Sequence, residues 1–201
     1  MWEDCGWFPD AAIMVPVRRS LIKMDEKRQR FEMHDQLRDM GRAIVEEECS
    51  RKLQKQSRLW NHQDSLDLLQ RKVPGTIDAE GVRISGKDCV SAECFENMPS
   101  LRYLYAADVN FQGVFLCFPT DLKWLLLSCC HFDSPPSDFN LEKVVILDLY
   151  KTNMAQILIN QLPLRVKAFE RLKVLSINGA EIKSDWETWD HLDSLILVGQ
   201  V

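Results

Sequence analysis

Through the second half of the chain, one arrangement of aliphatic positions returns at nearly fixed intervals. An aliphatic residue is followed by two of any kind, an aliphatic, one of any kind and a further apolar residue. It stands in Leu101-Arg102-Tyr103-Leu104-Tyr105-Ala106, Leu122-Lys123-Trp124-Leu125-Leu126-Leu127 and Val144-Val145-Ile146-Leu147-Asp148-Leu149. Two more copies are Leu172-Lys173-Val174-Leu175-Ser176-Ile177 and Leu192-Asp193-Ser194-Leu195-Ile196-Leu197. Their starts at residues 101, 122, 144, 172 and 192 are spaced by 21, 22, 28 and 20. Alternation inside each copy predicts a short strand with one buried face. Recurrence at this interval predicts one structural unit per copy, each covering the apolar face of the next. Positions nine and eleven hold Cys130 and Phe132, Thr152 and Met154, and Ala180 and Ile182, so position eleven stays apolar.

The front half alternates differently. Ala11 to Ser20 predicts a short helix, which Pro16 should limit to its first turn. Leu21-Ile22-Lys23-Met24 and Arg30-Phe31-Glu32-Met33 flank a charged Asp25-Glu26-Lys27-Arg28, the pattern of a β-hairpin. Met33, Leu37, Met40 and Ile44, spaced by 4, 3 and 4, form a one-sided helical stripe that Asp35 is expected to cap. A polar stretch then carries one further helix, with Asn61 as cap and Trp60, Leu66 and Leu69 on its apolar side. Pro74-Gly75 breaks the chain, and Gly81-Val82-Arg83-Ile84-Ser85 opens the run of strands.

Intervals in the twenties are those of leucine-rich repeats. The expected fold class is therefore α/β. A partial winged helix (helix, β-hairpin, helix) should occupy residues 1–45 and a helical linker 46–80, with a leucine-rich-repeat solenoid and its parallel sheet over 81–201. The incomplete front and the absence of a polar cap after the last repeat point to a fragment or a truncated gene product. In each repeat, positions four and six face inward, and positions three and five face outward. That aligns Tyr103, Tyr105, Trp124, Leu126, Ile146 and Asp148 on one concave face, a candidate partner surface. The plainer alternative is that the N-terminal segment covers this face. A solenoid displays surface rather than carrying chemistry.

Composition narrows the classes. Apolar residues make up 46% of the 201 residues and charged ones 27%, which supports a buried core. No run of eighteen apolar residues exists, so no membrane span is expected, and the first residues lack the basic and apolar regions of a secretory signal. Seven cysteines without a C-x-x-C pair fit reduced thiols in the cytoplasm or nucleus. Residues 18–58 hold 12 of the 25 basic and 8 of the 30 acidic residues, a balance of +4 against −9 elsewhere. This basic front falls short of a nucleic-acid footprint, although a winged-helix nucleic-acid-binding module on a repeat scaffold is the rival assignment.

No catalytic constellation stands out. His34, His62, His131 and His191 lack metal-ligand spacing and no Gly-x-Ser-x-Gly elbow occurs, so no enzyme, catalytic residue or metal site is expected. Met33-His34-Asp35 lies where the hairpin becomes a helix. Alone it is a surface histidine beside a capping aspartate. The free N–H groups and positive dipole end of the helix also suit a phosphate, with His34 as an added donor.

The wider string is more specific. Phe31-Glu32-Met33-His34-Asp35-Gln36-Leu37-Arg38-Asp39-Met40-Gly41-Arg42-Ala43-Ile44-Val45 closely resembles the end of the nucleotide-binding region of plant intracellular immune receptors. The similarity is to the subgroup that begins with a Toll/interleukin-receptor domain. It extends through Trp2-Glu3-Asp4-Cys5-Gly6, Arg19-Ser20-Leu21-Ile22, Ser57-Arg58-Leu59-Trp60, Gly75-Thr76, Glu93-Cys94-Phe95 and Leu101-Arg102-Tyr103-Leu104.

This resemblance implies a nucleotide-governed switch in defence signalling. The winged-helix part closes on ADP at rest, with the motif histidine, here His34, near the β-phosphate and Met33 and Asp35 beside it. Exchange for ATP opens the protein, and the repeats sense a pathogen effector protein while contacting the nucleotide-binding region. No Gly-x-x-x-x-Gly-Lys-[Ser/Thr] loop and no Toll/interleukin-receptor domain stand in these residues. ADP or ATP is therefore implied for complete relatives, and tight nucleotide binding is not expected of this chain alone.

Overall fold

The computed structural model describes residues 9–25, 30–48, 53–70, 76–113, 118–133, 141–154, 170–178 and 194–198. They fall into two compact units, Met1–Lys52 and Leu53–Val201.

In the first unit, helix α1 (Pro9–Arg18) runs on past Pro16 instead of stopping at its first turn. The proline removes only its own N–H, while its carbonyl still accepts the Leu21 N–H at 2.8 Å. Ser20, at φ 56°, turns the chain into strand β1 (Ile22–Asp25). Its antiparallel partner β2 (Arg30–Met33) sets Ile22 opposite Met33 and Asp25 opposite Arg30. Most of the expected charged tip, residues 26–28, lies outside the described residues. Helix α2 (Asp35–Glu48) follows directly. Helix, hairpin and helix thus stand in the expected order.

The second unit is organised by a seven-stranded sheet. Its strands are β3 (Arg58–Leu59), β4 (Gly81–Ser85), β6 (Tyr103–Ala107), β8 (Trp124–Ser128), β10 (Ile146–Tyr150), β11 (Val174–Asn178) and β12 (Ser194–Val198). Every neighbouring pair is parallel, and the order across the sheet is the order in sequence. The two-residue β3 falls in the stretch read from sequence as linker. Helix α3 (His62–Gln70) follows it, with Asn61 as its cap: Asn61 Oδ1 accepts the Gln63 N–H at 2.9 Å.

Two backbone ladders repeat with the sequence. At the strand entrances, the Ser57 carbonyl accepts the Glu80 and Gly81 N–H groups and the Glu80 carbonyl those of Arg102 and Tyr103. Arg102, Lys123 and Val145 then do the same for Lys123 and Trp124, Val145 and Ile146, and Lys173 and Val174. At the exits, Gly86, Asp108, Cys129 and Lys151 donate their N–H groups to the carbonyls of Ala107, Ser128, Tyr150 and Asn178, the last residues of the neighbouring strands. The three non-glycine exits are left-handed, at φ 57°, 52° and 48°.

The core follows the alternation. Leu104, Leu125, Leu147 and Leu175 are buried, with Ala106, Leu127, Leu149 and Ile177 two residues on; the Leu195 side chain lies outside the described residues. A second parallel sheet, β5 (Cys89–Ser91), β7 (Asn110–Gln112) and β9 (His131–Phe132), adds Val90, Phe111 and Phe132 to the same core. The Phe111 and Phe132 rings stack at 5.0 Å, and Phe95 and Phe118 lie 5.1 Å apart.

Positions nine satisfy backbone. Buried Cys130 donates its thiol to the Ala106 and Ser128 carbonyls at 3.4 Å, and Thr152 Oγ1 accepts the Met154 N–H at 3.4 Å. Ala180 and Ile182 lie outside the described residues. Asn153, which the pattern did not single out, accepts the Phe132 N–H at 3.0 Å and donates to the Phe132 carbonyl at 2.9 Å.

Candidate functional sites

The hairpin ends at Met33 and α2 begins at Asp35, so the residue between them holds the capping position. That residue is His34, and the expectation that Asp35 caps the helix is corrected. The His34 carbonyl accepts the Leu37 and Arg38 N–H groups at 3.0 and 3.1 Å, while ring Nδ1 accepts the Gln36 N–H at 3.3 Å. An imidazole nitrogen thus does what a serine or aspartate oxygen usually does. An accepting Nδ1 places the ring proton on Nε2, where it forms an outward donor beside the positive end of the helix. Asp35, whose side chain is 75% exposed, reaches forward to Arg38 at 2.8 Å. Further along the predicted stripe, Met40 and Ile44 are exposed and Leu37 is half-buried.

On the large sheet, the register turns the sequence positions into rows. The first row across the outward face is Gly81, Tyr103, Trp124, Ile146 and Val174, and the second is Arg83, Tyr105, Leu126, Asp148 and Ser176. Tyr103 and Trp124 meet edge to face at 5.5 Å, and burial pushes the Tyr103 phenol above its ordinary pKa. The Arg83 guanidinium lies 5.1 Å over the Tyr105 ring. Gly81 makes room for Arg58, whose Cδ would stand 3.0 Å from a Cβ there; Arg58 is held by Glu80 at 2.8 Å.

Tyr103, Tyr105, Trp124, Leu126 and Asp148 are therefore neighbours on one half-buried face. Ile146 shares their row but is only 6% exposed and offers little surface. Arg83 was missed, although the same alternation in the Gly81–Ser85 strand would have placed it beside Tyr105.

Elsewhere, His62 Nδ1 accepts the Ser85 N–H at 3.2 Å, and Nε2 lies 3.2 Å from Asp88, which joins α3 to the end of β4. Among the described residues, no group of three His, Cys, Asp or Glu side chains could hold a metal, and Cys89, Cys129 and Cys130 are free thiols. No described helix is long and apolar enough to cross a membrane.

Comparison with known proteins places the first unit. Residues 1–49 match the winged-helix domain of Roq1-like disease resistance proteins. The chain is 28% identical over 144 residues to disease resistance protein RPP2B of Arabidopsis thaliana, covering 64% of this chain and 12% of that protein. It is 26% identical over 196 residues to disease resistance protein RRS1B of the same plant, covering 87% of this chain and 14% of the relative. To TMV resistance protein N of Nicotiana glutinosa it is 25% identical over 150 residues, covering 73% and 13%. The chain thus spans far less than two thirds of each relative, and no solved structure matches it. The Phe31–Val45 string lies inside the matched 1–49 segment, and the chain is similar to plant disease resistance proteins, its front matching the winged-helix domain of the Roq1-like kind.

Proposed function

We propose that this chain is part of a plant disease-resistance receptor, acting in defence response and signal transduction in the cytoplasm or nucleus. Residues 1–45 serve as the closing part of a nucleotide-binding switch, 46–80 as a helical linker whose β3 and α3 join the sheet unit, and 81–201 as leucine-rich repeats forming a solenoid. The observation that carries this reading is the winged-helix match over residues 1–49 joined to a sheet whose parallel strands follow sequence order. The two backbone ladders, repeating at every strand, support the solenoid.

In the complete receptor, His34 presents its Nε2–H to the β-phosphate of ADP, with Met33 and Asp35 framing it. The exposed Met40 and Ile44 seat against the nucleotide-binding region. The repeat face around Tyr103, Tyr105, Trp124, Leu126 and Asp148 meets a pathogen effector or that same region. The chain recognises and restrains rather than turning over substrate; without a phosphate-cradling loop it holds ADP or ATP weakly by itself.

Leaf expression of a full-length receptor carrying this segment tests the proposal. Asp35→Val removes the Arg38 partner and the carboxylate beside His34, and should produce signalling without pathogen by changing the proposed phosphate contact rather than the stability of α2. Tyr105→Ala with Trp124→Ala should alter autoinhibition or effector response. Both variants behaving as wild type at normal protein level would refute it.

A further inference from the structure

Four neighbouring positions of the second outward row carry opposite charges at their two ends and apolar surface between them. Register places Arg83, Tyr105, Leu126 and Asp148 side by side on four consecutive strands. Arg83 is exposed and flattened on Tyr105 at 5.1 Å. Among the described residues its guanidinium has no carboxylate partner, and Asp148 has no cationic one. Arg58 differs: Glu80 already neutralises it. Three strand-to-strand steps of about 4.8 Å set the two positions about 14 Å apart along the row. Tyr103 and Trp124, packed edge to face, flank the row.

We infer that this row binds an extended protein segment of matching charge order: an acidic side chain, an apolar one and a basic one on alternate residues. An extended chain rises about 3.3 Å per residue, so about 14 Å spans roughly four residues, and side chains at i, i+2 and i+4 share one face. The carboxylate at i meets Arg83 in a charge-assisted pair. The apolar residue at i+2 lies on Tyr105 and Leu126, and the cation at i+4 meets Asp148. Charges at both ends of an apolar strip fix register and discriminate against wrongly charged segments. This inference rests on the proposed recognition role of the repeat face and specifies its partner.

The test is selection of short random peptides on the full chain, on Arg83→Glu, and on Tyr105→Ala with Trp124→Ala, each checked for native circular dichroism. The native chain should enrich an acid and a base four residues apart around an apolar residue, in either chain direction. Arg83→Glu should lose affinity for those peptides roughly tenfold and enrich bases at both ends. Arg83→Gln, which keeps the bulk of the side chain, should only drop the acidic preference. Peptides that need Tyr105 and Trp124 but show no charge pattern, or that bind Arg83→Glu equally well, would overturn the inference and leave the recognition role standing. Absence of any peptide depending on Tyr105 and Trp124 would overturn both.

Discussion

At single residues, the strand exits carry the sharpest consequences. Lys151 and Asp108 hold equivalent left-handed conformations at φ 48° and 57°. That conformation costs an ordinary L-residue about 1–2 kcal/mol, whereas aspartate tolerates it better. Glycine relieves the strain but adds unfolded-chain entropy of about 0.5–1 kcal/mol. Lys151→Gly should therefore stabilise by about 0.5 kcal/mol and Asp108→Gly by close to nothing, measured by urea denaturation. Gly86 is the reverse case. A Cβ there would stand 3.0 Å from both Asp88 Oδ2 and His62 Nε2, at φ 149°. Gly86→Ala should part that pair and lower stability by about 1–3 kcal/mol. The adjacent thiols divide as well: burial pushes Cys130 up to about 11, while Cys129 is exposed. Alkylation near pH 8 followed by mass spectrometry should label Cys129 and spare Cys130, because only the thiolate reacts.

Among the elements, legibility in the sequence depended on length and on ordinary chemistry. Apart from β3, the strands of the large sheet were legible because five or six residues suffice to show a period of two. Those of the second sheet were not: two or three residues, as in His131–Phe132, show no period. Strand β3 was hidden for the same reason, and its pairing with β4 and the Ser57 carbonyl ladder reveal its place. Helix α2 was legible from its stripe, but its cap was not, because histidine seldom caps and an aspartate stood next to it. The difference is measurable. His34→Ala should destabilise α2 by about 1 kcal/mol, as for loss of a cap. Asp35→Ala loses an exposed ion pair and a first-turn charge, only a few tenths of a kcal/mol. Helicity by circular dichroism during denaturation should rank the two accordingly; the opposite order would return the cap to Asp35. The candidate face was legible as a set of outward positions, yet its charge order needed the register between strands.

Across the sheet unit, ion pairs link positions 22 or 23 residues apart: Lys55 with Asp78, Arg58 with Glu80, and Lys143 with Asp121. The hydrogen bond from Lys143 holds the Asp121 carboxyl below its ordinary value of 3.8. A depressed carboxylate stabilises the fold above its unfolded pKa and loses that contribution as pH falls through the folded value. The small stability advantage of wild type over Asp121→Asn should thus shrink as pH drops below about 4 in thermal melts. Packing is distributed less evenly. Among the described residues the buried core begins at Leu59, and no described side chain of Met1–Lys52 belongs to it. Phe111→Ala, in the centre of the core, should cost about 3–5 kcal/mol. Met40→Ala and Ile44→Ala, at 55% and 48% exposed positions, should stay within about 0.5 kcal/mol in this chain. If that stripe seats against the nucleotide-binding region, the same two changes should cost about 2–5 kcal/mol in a full-length receptor, as buried methionine and isoleucine truncations do. Parallel melts of the chain and the receptor decide it: equal, small effects in both would leave α2 facing solvent in the complete protein and remove the proposed contact.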